Sequence, residues 1–308
     1  MSRHWGWMLT VCVACWCEIA CSVQPEGVPR KLLLIGIDGC RFDALQVADA
    51  PNLDGLLAEG CHDPDCQILG ERYRKNDTIS GPGWSSILTG VWADKHGVHD
   101  NTFKGKDYAH HPHFFAWLKG SRPDTHAVSV VTWAPIQQHI VSEADRNLVF
   151  APVEKDYARA DVLASEASRR ALADEALTVL FHYIGQVDEA GHAKGFHPSV
   201  PEYLAAIEQA DRHVGELLAA MRARPAYENE DWLVLVTSDH GGKWLGHGNG
   251  HDIPEIRNSF LVVSGKSAKR GRIDQETYLV DVVPTALTHL GVRPQPEWKL
   301  DGQAVGLR

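Results

Sequence analysis

Apolar and polar positions alternate along the chain in blocks that favour strands and helices in turn. Residues 31–39, "KLLLIGIDG", form a short apolar run stopped by Asp-Gly. Such a run reads as a strand buried on both faces, delivering an Asp at its carboxyl end. "APNLDGLLAEG" then reads as a short helix ended at Gly60. "TISGPGWSSILTG", residues 78–90, is a Gly/Pro-rich turn running into a helix, and "HHPHFFAWLKG" is a further helix. "HAVSVVTW" reads as a strand, and residues 158–175 carry Ala and charges at helical spacing. "ALTVLFHYIGQVD" reads as a buried strand that again ends in Asp, and residues 199–223 form the clearest amphipathic helix. "DWLVLVTSDHGG" and "NSFLVVSG" are two more strands, and "VDVVPTALTHLG" is a closing helix. Strands alternating with helices predict an α/β sandwich with a mainly parallel central sheet flanked by helices.

Ligands in such folds sit beyond the carboxyl ends of the strands. Three of the predicted strands finish there in residues able to bind metal: Asp38, Asp188 and the Asp239-His240 pair. One such Asp is an ordinary turn signal. Three, with His192 and His247 close behind, are hard to explain as turns. Asp188 and His192 are four apart, so one helical turn would aim both at a single ion. Glycines after His240 let the backbone approach a ligand closely. His247 and His251 each offer to complete a site, one of them as a bystander. The mixture of carboxylate and imidazole suits zinc or a similar divalent ion.

Ser80 stands just before Gly-Pro-Gly and the start of a helix. It is either a cap or turn residue, or a nucleophile at the positive end of the helix. A free serine hydroxyl needs activation, which a metal supplies directly, and the free N–H groups of a helix start suit an anionic group. The G-x-S-x-G elbow of a serine hydrolase is absent.

Composition narrows the reading. The 308 residues carry a net charge of −10, and no basic stripe suggests a nucleic-acid surface. Residues 5–20, "WGWMLTVCVACWCEIA", follow Arg3 and precede small residues; they read as an export signal covering residues 1–26, despite Glu18. Residues 27–308 are then expected as one catalytic domain, periplasmic or extracellular. A lipid anchor at Cys21 or Cys15 is the alternative, although neither follows a good lipidation pattern. Four of the seven cysteines lie in this segment, so their spacing is not read as a metal site. Of the rest, Cys61 and Cys66 either pair across "CHDPDC" or stay reduced with Cys40. Oligomeric state is not legible.

"LLIGIDG", "TISGPGWSSILTG…HGVHDN", "VDEAGH" and "SDHGG…GHG" occur in an order that resembles the alkaline phosphatase superfamily, closest to its type I phosphodiesterase/nucleotide pyrophosphatase branch. The resemblance runs over about residues 31–265 and implies an alkaline phosphatase-like sandwich with two zinc ions. Carried over, Asp38, Ser80, Asp239 and His240 would hold one ion; Asp188, His192 and a late His, for which His247 is preferred to His251, the other. Ser80 sits nine residues before Thr89-Gly90, as the family's nucleophile does, whereas the spacing of Thr78 is wrong by two. Asn101 matches the family's phosphate-binding Asn, and the Gly81 N–H is expected to bind the same oxygen. The implied reaction is cleavage of a small-molecule phosphodiester or pyrophosphate through a phosphorylated Ser80; the alternatives are a phosphomonoesterase or phosphonate hydrolase, or a binding protein that keeps the fold alone. The chain departs from the branch in reading Ser80-Gly81-Pro82-Gly83 where Thr-Phe-Pro-Asn is common, and in lacking long insertions that build nucleotide recognition. It also lacks the C-x-P-S-R pattern of sulfatases.

Overall fold

A computed structural model describes Met1 and residues 27–308. The export segment read at residues 1–26 therefore lies, Met1 aside, outside the described residues. So do Cys15 and Cys21.

Eight strands form one sheet: β1 (Arg30–Ile37), β2 (Cys61–Gln67), β3 (His126–Val131), β4 (Arg146–Val149), β5 (Leu177–Ile184), β6 (Asp231–Thr237), β7 (Asn258–Gly265) and β8 (Gly271–Arg272). Their spatial order is β4-β3-β5-β1-β6-β7-β2-β8. The five strands from β4 to β6 are mutually parallel, while β7 runs antiparallel to both β6 and β2. The helices are α1 (Phe42–Leu45), α2 (Pro51–Glu59), α3 (Ser80–Thr89), α4 (Ala93–His96), α5 (Phe114–Ser121), α6 (Tyr157–Leu172), α7 (Gln186–Lys194), α8 (Pro201–Arg222), α9 (Pro254–Arg257) and α10 (Val282–His289).

The sheet separates two cores. On β1, Leu32 and Leu34 pack with Ile87 of α3, Phe114 of α5 and Val283 of α10. Leu33, Ile35 and Ile37 face the other way, onto Leu53 of α2, Ala164 of α6 and Tyr203 and Ile207 of α8. A strand covered on both sides has no polar face, which is why β1, β5 and β6 read as unbroken apolar runs. This is the alkaline phosphatase-like sandwich expected from the sequence.

One expectation changes, a strand absent from the sequence reading enters, and one open alternative closes. The apolar run that starts β5 ends at Ile184, and Asp188 sits in the first turn of α7, not at a strand end. "CHDPDCQ" forms β2, interrupted by an irregularity between Asp63 and Cys66, where Pro64 falls. Cys61 and Cys66 are therefore five residues apart on one extended strand, roughly 16 Å at the usual rise, beyond the roughly 7 Å reach of a disulfide. Both are buried free thiols, as is Cys40.

Candidate metal centre and nucleophile

Neighbouring parallel strands bring the predicted residues together. β5, β1 and β6 are adjacent, and Ile37 pairs with Ile184 while Gly36 pairs with Thr237, so the three strands finish level. Asp38 follows β1 directly, Asp239 and His240 follow β6 by two and three residues, and α7 leaves β5 after a single residue, Gly185. Two clusters result, Asp38–Asp239–His240 and Asp188–His192–His247, with the ligand-capable atoms in each within 4.8 Å of one another. The rings of His240 and His247 stack at 3.7 Å between centroids, so the clusters adjoin.

Each imidazole is oriented by its Nδ1, placed against a backbone carbonyl: His192 on Leu245 (2.9 Å), His240 on Gly241 (2.8 Å) and His247 on Thr78 (3.1 Å). With the Nδ1–H donated there, each ring in its neutral form leaves a lone pair on Nε2, the usual arrangement in metal-binding histidines. Those lone pairs point at other acceptors. Nε2 of His192 lies 2.9 Å from Nε2 of His247. Nε2 of His240 lies 3.3 Å from Oδ2 of Asp239 and 3.6 Å from Oδ1 of Asp38. The buried oxygens Asp38 Oδ1, Asp188 Oδ1 and Asp239 Oδ2 have no hydrogen-bond partner. Buried polar atoms are rarely left so, and acceptors facing acceptors repel unless a cation lies among them. The donor set therefore fits divalent cations. His251, the alternative to His247, turns its Nε2 to the Asn76 carbonyl (2.7 Å) and joins neither cluster.

The charges report the same crowding. Burial, reinforced by Asp188, pushes the Asp38 carboxyl up to about 6. Burial and the neighbouring Asp38 and Asp188 drive Asp239 well above the carboxylate range. At Asp188 burial also pushes upward, but the His192 bond and the nearby imidazoles outweigh it and hold the group low. The Asp188 bond raises His192 to about 9, while burial and then His240 depress His247 to about 3.

Ser80 is the first residue of α3, behind extended Ile79, and its Oγ lies 3.3 Å from Nε2 of His240. It makes no side-chain cap. Thr78, the rival nucleophile, is occupied: its hydroxyl donates to the His247 carbonyl (2.5 Å) and accepts from the Gly250 N–H (2.8 Å). Gly83 shows what its missing side chain allows. A Cβ there would come 2.9 Å from both the Cβ and the carbonyl oxygen of Asp239, so glycine lets α3 close onto β6. Asn101 lines the cleft with Ser80. One expectation is corrected here: the Gly81 N–H is not open to an anion but donates to Oδ1 of Asn101 at 2.6 Å. That bond orients the amide, so Gly81 positions Asn101, whose NH₂ is the remaining donor.

Sequence reasoning missed the groups that hold the cluster residues in place. Oδ2 of Asp38 accepts from the Tyr183 hydroxyl (2.6 Å) and the Trp84 indole (2.8 Å), leaving Oδ1 for the cluster. Asp161 of α6 accepts from the Gly185 (3.1 Å) and Gln186 (2.8 Å) N–H groups and so caps α7, which carries Asp188 and His192. The cleft encloses about 360 Å³, and Trp133, Tyr157 and Glu189 complete its wall.

Fold and site together define an alkaline phosphatase-like α/β protein with a serine at a helix start beside two carboxylate–imidazole clusters. The chain belongs to the type I phosphodiesterase/nucleotide pyrophosphatase family, whose model matches residues 32–247. It is 27% identical over 238 residues to human ectonucleotide pyrophosphatase/phosphodiesterase family member 7, covering 71% of this chain and 49% of that protein. It is 25% identical over 229 residues to the bovine (Bos taurus) bis(5'-adenosyl)-triphosphatase ENPP4, covering 69% and 48%. The chain thus spans about half the length of the curated relatives it matches. Among solved structures, murine ectonucleotide pyrophosphatase/phosphodiesterase 5, an inactive variant in complex with AMP, superposes with a TM-score of 0.64 at 14% identity, covering 87% of this chain and 96% of that one. BT1596, a 2-O GAG sulfatase, gives 0.70 at 13% identity, covering 90% and 73%, a likeness of fold alone.

Proposed function

We propose that the chain is an exported two-metal hydrolase that cleaves phosphodiester or pyrophosphate bonds through a phosphorylated Ser80. The observation that carries the reading is the convergence of three partnerless buried carboxylate oxygens, three imidazole Nε2 atoms and the Ser80 hydroxyl at one edge of the sheet. Asp38, Asp239, His240 and Ser80 would hold one divalent ion, zinc foremost, and Asp188, His192 and His247 the other. Bound there, such ions supply positive charge that favours the serine alkoxide and the departing alkoxide.

The rest falls to the chain's own groups. Ser80 Oγ attacks phosphorus in line; the bond to Oγ forms as the bond to the leaving alcohol breaks, and the serine proton passes to solvent. Water then attacks the phosphoserine, which restores the hydroxyl and releases the phosphorylated product. Asn101, held by the Gly81 N–H, turns its amide donor to a non-bridging oxygen. Export would place this chemistry in the periplasm or outside the cell; the apolar segment at residues 5–20 supports it. Among the described residues no helix is long and apolar enough to cross a membrane.

The test is hydrolysis of a bis-aryl phosphodiester beside an aryl phosphomonoester and an aryl sulfate, with zinc, by the chain and by Ser80→Ala. Preference for the diester, abolished in the variant, is expected. Preference for the monoester or sulfate would move the substrate class while keeping the site. Absence of both turnover and bound metal would sink the enzyme reading.

A further inference from the structure

Among the described residues nine large apolar side chains stand exposed, and four of them, Val149, Val153, Val162 and Leu163, fall in one stretch of chain. Exposed apolar residues scattered singly need no explanation, but a cluster does. The stretch begins on β4, the terminal strand of the sheet, which pairs only with β3. It ends in the middle of α6, where Val162 and Leu163 are 50% and 43% exposed.

α6 carries two opposite faces. Ala160, Ala164, Ser168 and Ala171 are buried against the rest of the chain. Arg159, Val162, Leu163, Glu166 and Arg170 are all exposed. At 3.6 residues per turn these five form a single stripe about 100° wide, the width of a helix face that packs on another element. Here the stripe has an apolar centre and charged ends. Glu166 pairs with Arg170 and Arg169 with Glu216, all exposed, while Arg159 makes no ion pair among the described residues.

The stripe is its own complement. A two-fold axis between Val162 and Leu163 lays α6 antiparallel on a copy of itself. Val162 then meets Leu163 of the second copy, and Arg159 meets Glu166, each contact occurring twice. Further out, exposed Glu154 and Asp156 before the helix face exposed Arg169 and Arg170 at its end, with Lys155 the one like charge among them. We infer that α6 is a docking surface for a second copy of this chain, joined antiparallel about that axis. The inference does not rest on the hydrolase reading. A nucleic acid or an anionic bilayer would ask for cations alone, and Glu166 beside the apolar centre opposes both. α6 has 16 residues and is about 24 Å long. One helix pair of that length makes a small interface, so the association is reversible and depends on concentration.

The experiment is sedimentation equilibrium of the full chain, in chelator so that metal cannot bridge copies, from low micromolar to near-millimolar concentration. A monomer–dimer equilibrium is expected. Leu163→Asp sets a carboxylate against the apolar centre twice per dimer and should weaken association at least about a hundredfold. Arg159→Glu turns two attractive pairs into two repulsive ones and should weaken it about tenfold. Arg159→Glu/Glu166→Arg restores opposite charges across the axis and should return the dimer to within about threefold of the parent. All three positions are exposed, so each variant should keep the parent's circular dichroism spectrum and urea midpoint. The charge reversals also separate this contact from association through the apolar segment at residues 5–20, which they do not alter. A dimer indifferent to Leu163→Asp, or a double reversal no better than the single, overturns the inference. A monomer at every concentration does so too; a lower urea midpoint for Leu163→Asp in that case would mean that the chain itself covers the stripe.

Discussion

Gly36→Ala tests how the fold holds Asp38. Gly36 lies on β1 opposite the indole of Trp84, which is wholly buried. A Cβ at this position would come 2.2 Å from Cη2 and 2.5 Å from Cζ3 of that ring. Carbon atoms pack at about 3.5–4.0 Å, so the ring must retreat by more than about 1 Å. It has little room, since Tyr183 meets it edge-on at 5.2 Å and Phe181 lies at 6.0 Å. The same retreat breaks the 2.8 Å bond from the indole N–H to Asp38. Overpacking costs about 1–3 kcal/mol, and a lost bond to a charged group about 1.5–3 kcal/mol. Replacing glycine within a strand returns about 0.5–1 kcal/mol. The net expectation is a loss of roughly 2–4 kcal/mol, read as a lower urea midpoint with an unchanged slope, in chelator so that metal binding does not intrude. Zinc affinity should fall as well, because Asp38 loses one of the two donors that orient it. In Gly36→Ala/Trp84→Leu the clash and the indole bond are both gone, so the double variant should cost at least about 1 kcal/mol less than the sum of the singles. A single substitution within about 0.5 kcal/mol of the parent, or strict additivity in the double, would refute the reasoning.

Three further outcomes are expected. Asn101→Ala should lower turnover of a phosphodiester about a hundredfold, the usual cost of one oxyanion donor; Gly81 contacts only Asn101 in this role, so an unchanged rate would remove the pair from the site. Dialysis against a chelator should lower the melting temperature and added zinc restore it, since a bound ion stabilises the native state by mass action; Asp239→Asn should blunt the rescue, and a melting temperature indifferent to zinc would contradict the fit of the clusters to cations. Burial pushes Asp161 up to about 7 in the folded chain, against its bonds from Gly185, Gln186 and Thr132. A raised folded pKa means a contribution fully present below the ordinary carboxyl value near 3.8 and lost as pH rises towards 7; urea midpoints between pH 4 and 7 should therefore fall less steeply in Asp161→Ala, and parallel profiles would argue against the shift.

How far the sequence could be read follows from what each part of the chain packs against. β1, β5 and β6 are covered on both faces, so their apolar runs are continuous and legible. β2 is not: "CHDPDCQ" alternates poorly, and Pro64 falls at its irregularity, where the ladder with β7 is broken. Its strand character comes from pairing with a segment about 200 residues away, not from its own composition. The switch from β5 to α7 was hidden for another reason. Only Gly185 separates them, and the cap that starts the helix is Asp161, on α6, which no local pattern announces. The disulfide option at Cys61 and Cys66 arose from short spacing alone, and an extended strand removes it.

The same logic separates the centre from what surrounds it. Asp38, Asp188 and Asp239 are far apart in sequence, yet parallel strands that finish level return each segment to one edge, so their shared position could be expected from topology. Trp84 and Tyr183, which orient Asp38, are 46 and 145 residues from it and look like ordinary core residues in a linear reading. The family resemblance implied a common site for Ser80, Gly81 and Asn101 but not which atom faces which; the 2.6 Å bond shows the Gly81 N–H donating to Asn101. Substrate choice is further from the sequence still. At the Lys243–Gly246 turn, for instance, Gly246 lines the cleft and its neighbour Leu245 an apolar cavity. A turn of that kind can change what is bound without altering a strand, a cluster residue or the serine. The candidate metal residues of this chain therefore gather where parallel strands end.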